Sequence, residues 1–302
     1  MSRENLPLVS IVTPSLNQGE YIRHAVESVL SQDYPHLEYW VMDGGSTDET
    51  TTILAQLAEG GDFRWQSRPD QGQAQAIQMG WARSRGDILA WINADDTYLP
   101  GAVRAAVTAF QEHPEANIVC GGVQLIDSEG IPTGAVKPVA LDLSGLLDLH
   151  HYLPQPAVFL RAEAVRSVGG IDASLQYAMD LDLYLRLAAC APIHFLDETL
   201  AAHRLHPSSK TMSQHHALRA EAAQVARRFL DQYGENGLYR NTESDLDARR
   251  LRSRTHLVEA YADFRRKQYA HSLAHAARAL WLQPGNIGLI WQRLRREMGE
   301  QT

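Results

Sequence analysis

The sequence predicts an α/β fold, and three strand ends carry that prediction. Ile88, Leu89, Ala90, Trp91 and Ile92 form a continuous apolar run that stops abruptly at Asn93, Ala94, Asp95 and Asp96. Leu37 to Met42 alternates into an apolar strand and stops at Asp43, followed by Gly44, Gly45, Ser46, Thr47 and Asp48. Val9 to Thr13 forms a first strand that leaves through Pro14, Ser15, Leu16 and Asn17. Short apolar runs bounded by polar residues read as buried parallel strands. Ligands of open α/β sheets bind outside the carboxyl ends of such strands. Thr13, Asp43 and Asp95/Asp96 are therefore expected at one edge.

The elements between follow in order. A helix is expected from about Glu20 to Gln32. Ser46 with Glu49 three residues later is a capping-box signature, which starts a helix at Thr47 and carries it toward Ala58. A strand near Phe63 to Ser67 leads to a helix opened by Asp70, Gln71, Gly72 and Gln73, with Asp70 suited to the N-cap. Gln155 to Arg161 is an apolar run ending in a charge and reads as a strand. Leu181, Leu183, Leu185 and Leu187 with Tyr184 form the apolar part of a helix that begins near Asp180.

Adjacent carboxylates at a strand end are costly unless something positive lies between them. A hard divalent cation carrying a diphosphate meets that need, since such ions take one or two protein carboxylates plus substrate phosphates. The plainer alternative is an Asp-Asp pair that caps the next helix. Asp43 likewise reads either as an acceptor for a ligand N–H or as a turn-former. Asp180 reads either as a reactive carboxylate or as a helix N-terminal acid favoured by the macrodipole.

Taken in order, Val9 to Asn17, Asp43 to Asp48, Asp70 to Gln73 and Asn93 to Tyr98 resemble the nucleotide-sugar half of family-2 glycosyltransferases of the cell-wall-biosynthesis type. Gly169-Gly170-Ile171-Asp172 and the run Met179 to Arg186 resemble the acceptor half. The resemblance covers roughly residues 6 to 210. It implies a GT-A fold, a Rossmann-like mixed sheet flanked by helices, and an inverting transfer from a nucleotide-sugar, UDP-linked by expectation.

It also implies roles. Thr13 and Asp43 would hold the nucleobase, with Pro14, Asn17, Gly44, Ser46, Asp70, Gln73, Asn93 and Asp95 lining the donor. Asp95 and Asp96 match the Asp-x-Asp region that binds Mn²⁺ or Mg²⁺ at the diphosphate, with His206 approaching the metal and Lys210 the phosphate. Asp180 aligns with the base carboxylate, and Gln155, Met179 and Asp182 would face the acceptor. The chain departs from the pattern at Asn93 and Met179, where the family has Asp and Glu; lower metal affinity and a less acidic pocket follow. His203, His24, His113, His150-His151 and His215-His216 are expected to be solvated or packing residues. Acceptor specificity is expected in the loops between Lys137 and Tyr177.

Composition agrees with an enzyme of this kind. The chain has 302 residues, 44% hydrophobic and 21% charged, enough for one large core plus an appendage. It has no apolar stretch of the roughly 20 residues that crossing a bilayer takes. Met1 to Pro7 has no signal-peptide core. Cys120 and Cys190 are isolated, which suggests neither disulfide nor zinc site. A cytoplasmic location is the default. No Gly-x-Gly-x-x-Gly follows the first strand, and the P-loop and Gly-x-Ser-x-Gly elbow are missing, which argues against dinucleotide, NTPase and α/β-hydrolase chemistry. A sugar-phosphate nucleotidyltransferase is the nearest enzymatic rival, but Ser15 to Glu20 has no Lys or Arg. A nucleotide-sugar-binding module without catalysis is the rival from another class.

Charge divides the chain at about residue 214. Residues 215 to 302 hold 15 Lys/Arg and 10 Asp/Glu, a net of +5, against −13 for residues 1 to 214. Two units are expected: a catalytic domain over 1–214, with a donor half about 6–125 and an acceptor half about 126–214, and a helical extension over 215–302. Tyr269 to Asn286 resembles the second helix of a tetratricopeptide-type repeat, and one such unit is too few for a solenoid. It suits a helical hairpin packed on the catalytic domain or on a second copy. Arg249, Arg250, Arg252, Arg254, Arg265, Arg266, Lys267, Arg293, Arg295 and Arg296 form a basic cluster. Its functional reading is peripheral contact with anionic lipid, suited to a glycan or lipid-linked glycan acceptor; its plainer reading is a solvated helical face. Nucleic acid is excluded as a partner by the overall charge of −8 and the lack of a nucleic-acid module.

Overall fold

The computed structural model describes residues 6–149, 152–207, 209–233, 256 and 269–282. β1 (Val9–Ser15) lies parallel between β2 (Leu37–Asp43) and β4 (Ile88–Trp91), and β3 (Arg64–Ser67) extends the parallel set beyond β2. β8 (Val158–Arg161) is antiparallel to β4 and to β6 (Ile118–Ile126). β6 pairs in parallel with β9 (Ile193–Arg204), and β5 (Thr97–Tyr98) closes the sheet antiparallel to β9. β7 (Pro132–Val136) forms a hairpin with β6. The parallel strands expected from the strand ends are present, with β1 central and β2 and β4 on either side of it, inside the mixed sheet that the family resemblance implies. Chain order reverses between β1 and β4, which makes their carboxyl ends the switch point where ligands bind.

The central strands are buried on both faces, as their apolar runs require. Ile11, Val41, Ile88 and Ala90 enter one core with Ile22, Val26 and Val29 of α1 (Ile22–Leu30), Leu54 of α2 (Thr50–Ala58), and Val103 and Phe110 of α4 (Ala102–Glu112). Val12, Met42, Leu89 and Trp91 enter the other, with Ile77 and Trp81 of α3 (Gln73–Trp81), Leu146 and Leu147 of α5 (Leu143–Leu147), Val165 of α6 (Ala162–Ser167), and Leu183 and Leu185 of α7 (Met179–Ala188). A Cβ on Gly80 would meet the Val12 side chain at 2.6 Å, so only glycine lets α3 lie this close to β1. That contact fixes the last turn of α3 against the middle of β1.

Two boundaries differ from the sequence expectation. α2 begins at Thr50, three residues late, and the Ser46–Glu49 capping box does not form. The Ser46 hydroxyl instead donates to Asp43, and Asp48 accepts from the Thr50 N–H at 3.0 Å. The run at Gln155 opens as a short 3₁₀ turn over Gln155–Ala157 before β8.

Past the short α8 (Lys210–Ser213), α9 (His215–Tyr233) buries Ala222, Val225, Ala226, Phe229 and Leu230 in the same core as α7. The charge boundary near residue 214 thus falls between elements that share one core. α10 (Tyr269–Leu282) is helical, and exposes Leu273 and Trp281. The cationic residues of the basic cluster, and His150-His151, lie outside the described residues. Among the described residues no helix is long and apolar enough to cross a membrane.

Candidate active site

The first wall of the site is a pair of cross-linked loops at the ends of β1 and β2. The Asp43 carboxylate is buried and accepts from Gly45 N–H (3.1 Å), Ser46 N–H (2.9 Å), Ser67 Oγ (2.6 Å) and Ser46 Oγ (2.5 Å). Three of these land on Oδ2, which leaves Oδ1 with acceptor capacity. Asn17, at φ 51°, accepts from Thr47 N–H at 2.9 Å, and its own N–H donates to Ser46 Oγ at 2.7 Å. Gly44 N–H donates to Ser15 O at 2.8 Å. Asp70 packs on Gly44, where a Cβ would meet its carboxylate at 3.1 Å, and accepts from Gly72 N–H at 2.8 Å. Asp70 therefore shapes the turn before α3, while Gly72 holds the N-cap position.

Thr13 differs from its expected role. Alternation along β1 turns its side chain inward, fully buried, with the hydroxyl 2.9 Å from Tyr39 Oη in the core. Only its backbone remains at the strand end. Pro14 is also buried.

The second wall is the end of β4. Asp96 is 0% exposed: Oδ1 accepts from Arg204 N–H and lies 2.9 Å from His203 Nδ1, and Oδ2 accepts from Asn93 Nδ2 at 3.2 Å. Burial, and after it the charge of Asp95, pushes the Asp96 carboxyl above its ordinary value. Burial draws His203 down, but its hydrogen bond to Asp96 and that carboxylate's charge outweigh this and raise it. Asp95 is the more open carboxylate, its side chain 20% exposed, with Oδ2 3.0 Å from His206 Nε2. The hydrogen bond of the His206 ring to the Asp95 carboxylate, against a smaller desolvation, raises His206. β9 brings both histidines here, because pairing of Thr97 with Ala202 carries the strand past Asp96. Arg204 locks the arrangement: buried, it donates to the backbone oxygens of Asp95 (3.0 Å), Asp127 (3.0 Å) and Ser128 (2.9 Å), and its guanidinium lies over the Tyr21 ring.

Between the walls runs a polar chain. Asn93 donates to Gln155 Oε1 (3.0 Å) and to Asp96, and accepts from Gln73 Nε2 (2.7 Å). Lys210 Nζ reaches Gln73 Oε1 (3.1 Å) and Gln176 O (3.4 Å), the latter just ahead of α7. Asp180, in the first turn of α7, accepts from its neighbour's Leu181 N–H at 2.8 Å. Burial raises its carboxyl to about 6, against the lowering effect of that bond.

The family model for Glycosyl transferase family 2 matches residues 10–153. A protein of Mycobacterium tuberculosis H37Rv, named as an uncharacterized glycosyltransferase, is 31% identical over 191 residues, which cover 62% of this chain and 71% of that protein. The chain belongs to glycosyltransferase family 2. It spans between 32% and 66% of the length of the Rickettsia glycosyltransferases that it also matches. Its fold is that of solved GT-A enzymes. Staphylococcus aureus TarS 1-349 in complex with UDP-GlcNAc has a TM-score of 0.62 at 14% identity, covering 92% of this chain and 90% of that one. The mannosyltransferase PcManGT from Pyrobaculum calidifontis, in complex with GDP-Man and Mn²⁺, has a TM-score of 0.61 at 18% identity, covering 98% and 84%.

Within this family-2 chain, the structure gathers Asn17, Asp43, Gly44, Ser46 and Asp70 in the first wall and Gln73, Asn93, Asp95, Asp96, Gln155, His206 and Lys210 around the second. Met179 and Asp182 are not brought to the mouth. Met179 is a buried core residue. Asp182, read from the sequence as an acceptor contact, is buried between two arginines, accepting from Arg186 Nε (3.0 Å) and Arg228 Nη2 (2.6 Å). A helical (i, i+4) partner at Arg186 was visible in the sequence and is the signal for that ion pair. His203 is likewise not a solvated residue but the partner of Asp96. The spacing of His203 and His206 along one strand end was its only signal.

Proposed function

We propose that this family-2 chain is a metal-dependent, inverting glycosyltransferase. It moves a sugar from a nucleotide-sugar, a UDP-sugar by preference, to a hydroxyl of a glycan or lipid-linked glycan. One observation carries the reading: an unbroken polar chain from Asp96 through Asn93, Gln73 and Lys210 to Gln176 joins the acidic strand end to the segment leading into the helix that bears Asp180. The acceptor hydroxyl attacks the anomeric carbon as the bond to the diphosphate breaks, and its proton passes to Asp180. A carboxyl held near 6 is ionised at neutral pH, yet more basic than an ordinary aspartate.

The donor set fits a divalent ion of the Mn²⁺ or Mg²⁺ type. Asp95 is the accessible carboxylate and His206 its neighbour, and ions that also hold a diphosphate need no more than one or two protein carboxylates. Such an ion supplies Lewis-acid relief of charge on the departing diphosphate. Asp96 supports from behind. Asn93 fits this scheme better than aspartate, because an amide can donate to Asp96 and Gln155 while accepting from Gln73. A third carboxylate there would set like charges against a buried one. The departure from the family pattern at Asn93 thus has a structural purpose. Membrane contact through the basic C-terminal residues, a cytoplasmic inner-face location and homo-oligomerisation belong to the same proposal.

Calorimetric titration with UDP-, dTDP- and GDP-sugars, each with and without Mn²⁺, tests the reading. One donor is expected to bind only with the metal, and Asp95→Ala to lose at least about tenfold in that affinity, the scale on which metal-site changes act. Equal binding without metal would refute metal dependence. A second test is the pH profile of kcat/KM. The rate is expected to fall about tenfold per unit below pH ~6 as Asp180 takes up its proton. A profile flat down to pH ~4.5 would remove Asp180 from the reaction.

A further inference from the structure

α7 has no side-chain cap of its own; Ala178 stands at the N-cap position. The cap comes from another helix. Glu221 of α9 accepts from Tyr177 N–H (2.6 Å), Ala178 N–H (2.8 Å) and Gln176 N–H (3.1 Å). Seven residues further along, on the same face of α9, Arg228 pairs with Asp172 (2.9 Å) and Asp182 (2.6 Å). α9 thus grips the segment 172–178 at both ends, and that segment leads directly into Asp180. Backbone N–H groups at a helix start carry partial positive charge, and a carboxylate is the ligand that best satisfies them.

We propose that Glu221 is a positioning residue for the acceptor side of the reaction: its carboxylate holds the amides of residues 176–178 so that Asp180 is presented to the acceptor hydroxyl in one fixed place. This rests on the reading of Asp180 as the base. Two further observations agree with it. Lys210 bonds the carbonyl of Gln176, so the same segment is tied to the donor wall through Gln73. The negative charge of Glu221 also adds to the burial that keeps Asp180 basic. Tyr184, on the next turn of α7, is a titratable group that also feels Asp180.

The test compares wild-type protein with Glu221→Ala, Glu221→Gln and Asp180→Asn, using UDP-GlcNAc and Mn²⁺ as the probe. It measures UDP release and, separately, amide hydrogen exchange at residues 176–178. Glu221→Ala is expected to speed exchange at those three amides, and to lower kcat by about 10- to 100-fold, the cost of a misplaced reacting group. KM for UDP-GlcNAc should stay within about twofold, because the donor wall is untouched. Glu221→Gln keeps a carbonyl acceptor and should recover most of the rate. If Glu221→Ala does not fold, Glu221→Gln carries the exchange readout: faster exchange than wild type at residues 176–178 supports the proposal, and exchange equal to wild type overturns it. An inactive Asp180→Asn beside a fully active Glu221→Ala, or lost rate with unchanged exchange, overturns the proposal. Failure of the base reading shows differently, as an Asp180→Asn variant that keeps its rate.

Discussion

Asp180→Asn is expected to lower kcat by about 10³-fold, within the range that general-base catalysis supplies, while metal-dependent donor binding stays within about twofold. The isosteric amide keeps an oxygen for the Leu181 N–H, so α7 should still start in the same place. The variant should also be more stable than wild type at pH 7 to 8. The folded-state carboxyl sits at about 6, above its ordinary value, so the folded protein binds this proton more tightly than the unfolded chain does. Ionising it costs stability. That cost is absent below the unfolded value near 4, grows between about 4 and 6, and is complete above 6. An amide carries no such cost. Loss of activity with a rise in Tm that vanishes at about pH 4 is the signature of a carboxylate kept for chemistry at the expense of the fold. A variant with more than a tenth of the wild-type rate, or a lower Tm at neutral pH, would defeat this assignment.

The second large effect concerns Asp96, and it falls on stability. Asp96→Ala leaves His203 Nδ1 and Arg204 N–H without the buried carboxylate, and removes one of the two acceptors of Asn93 Nδ2. Removing one partner of a buried charged pair costs about 3 kcal/mol or more, which corresponds to a fall in Tm of about 6–12 °C for a domain of this size. Asp95→Ala, at a partly open position, should leave Tm nearly unchanged and remove the metal-dependent part of donor binding instead. Differential scanning calorimetry of the two variants, paired with donor titration, separates the roles. The reverse pattern, with Asp96→Ala stable and Asp95→Ala unfolded, would exchange the two assignments.

Much of this fold is legible because its strands are short, apolar and stopped by acids. β1, β2 and β4 were visible in their residues, and so was the edge to which they deliver Asp43, Asp95 and Asp96. What could not be read was direction and partnership. Thr13 and Ser15 share one face of β1, and only the contact with Tyr39 decides that the Thr13 hydroxyl is engaged in the core. Asp95 and Asp96 are neighbours in sequence, but a strand from more than a hundred residues later makes one a buried anchor and leaves the other open. Ser46 and Glu49 satisfy a local capping pattern, and lose it because Asp43 offers the serine hydroxyl a better acceptor across the turn. His203, Arg204 and Glu221 bond to partners distant in sequence. No periodicity marks such residues, since their meaning arises only when β9 and α9 are laid in place.

The shared core of α7 and α9 has a consequence for inheritance. The stretch that matches the family ends at residue 153, and the recognisable acceptor motifs end near 210. Yet Val225, Phe229 and Leu230 of α9 are buried against what comes before them. Exposing side chains of this kind costs about 1.5–3 kcal/mol each, and three together approach the whole stability of an ordinary domain. Recombination between relatives that cuts just after the acceptor motifs would therefore deliver a chain unable to stand alone. The helix carrying Glu221 has to travel with the segment it holds.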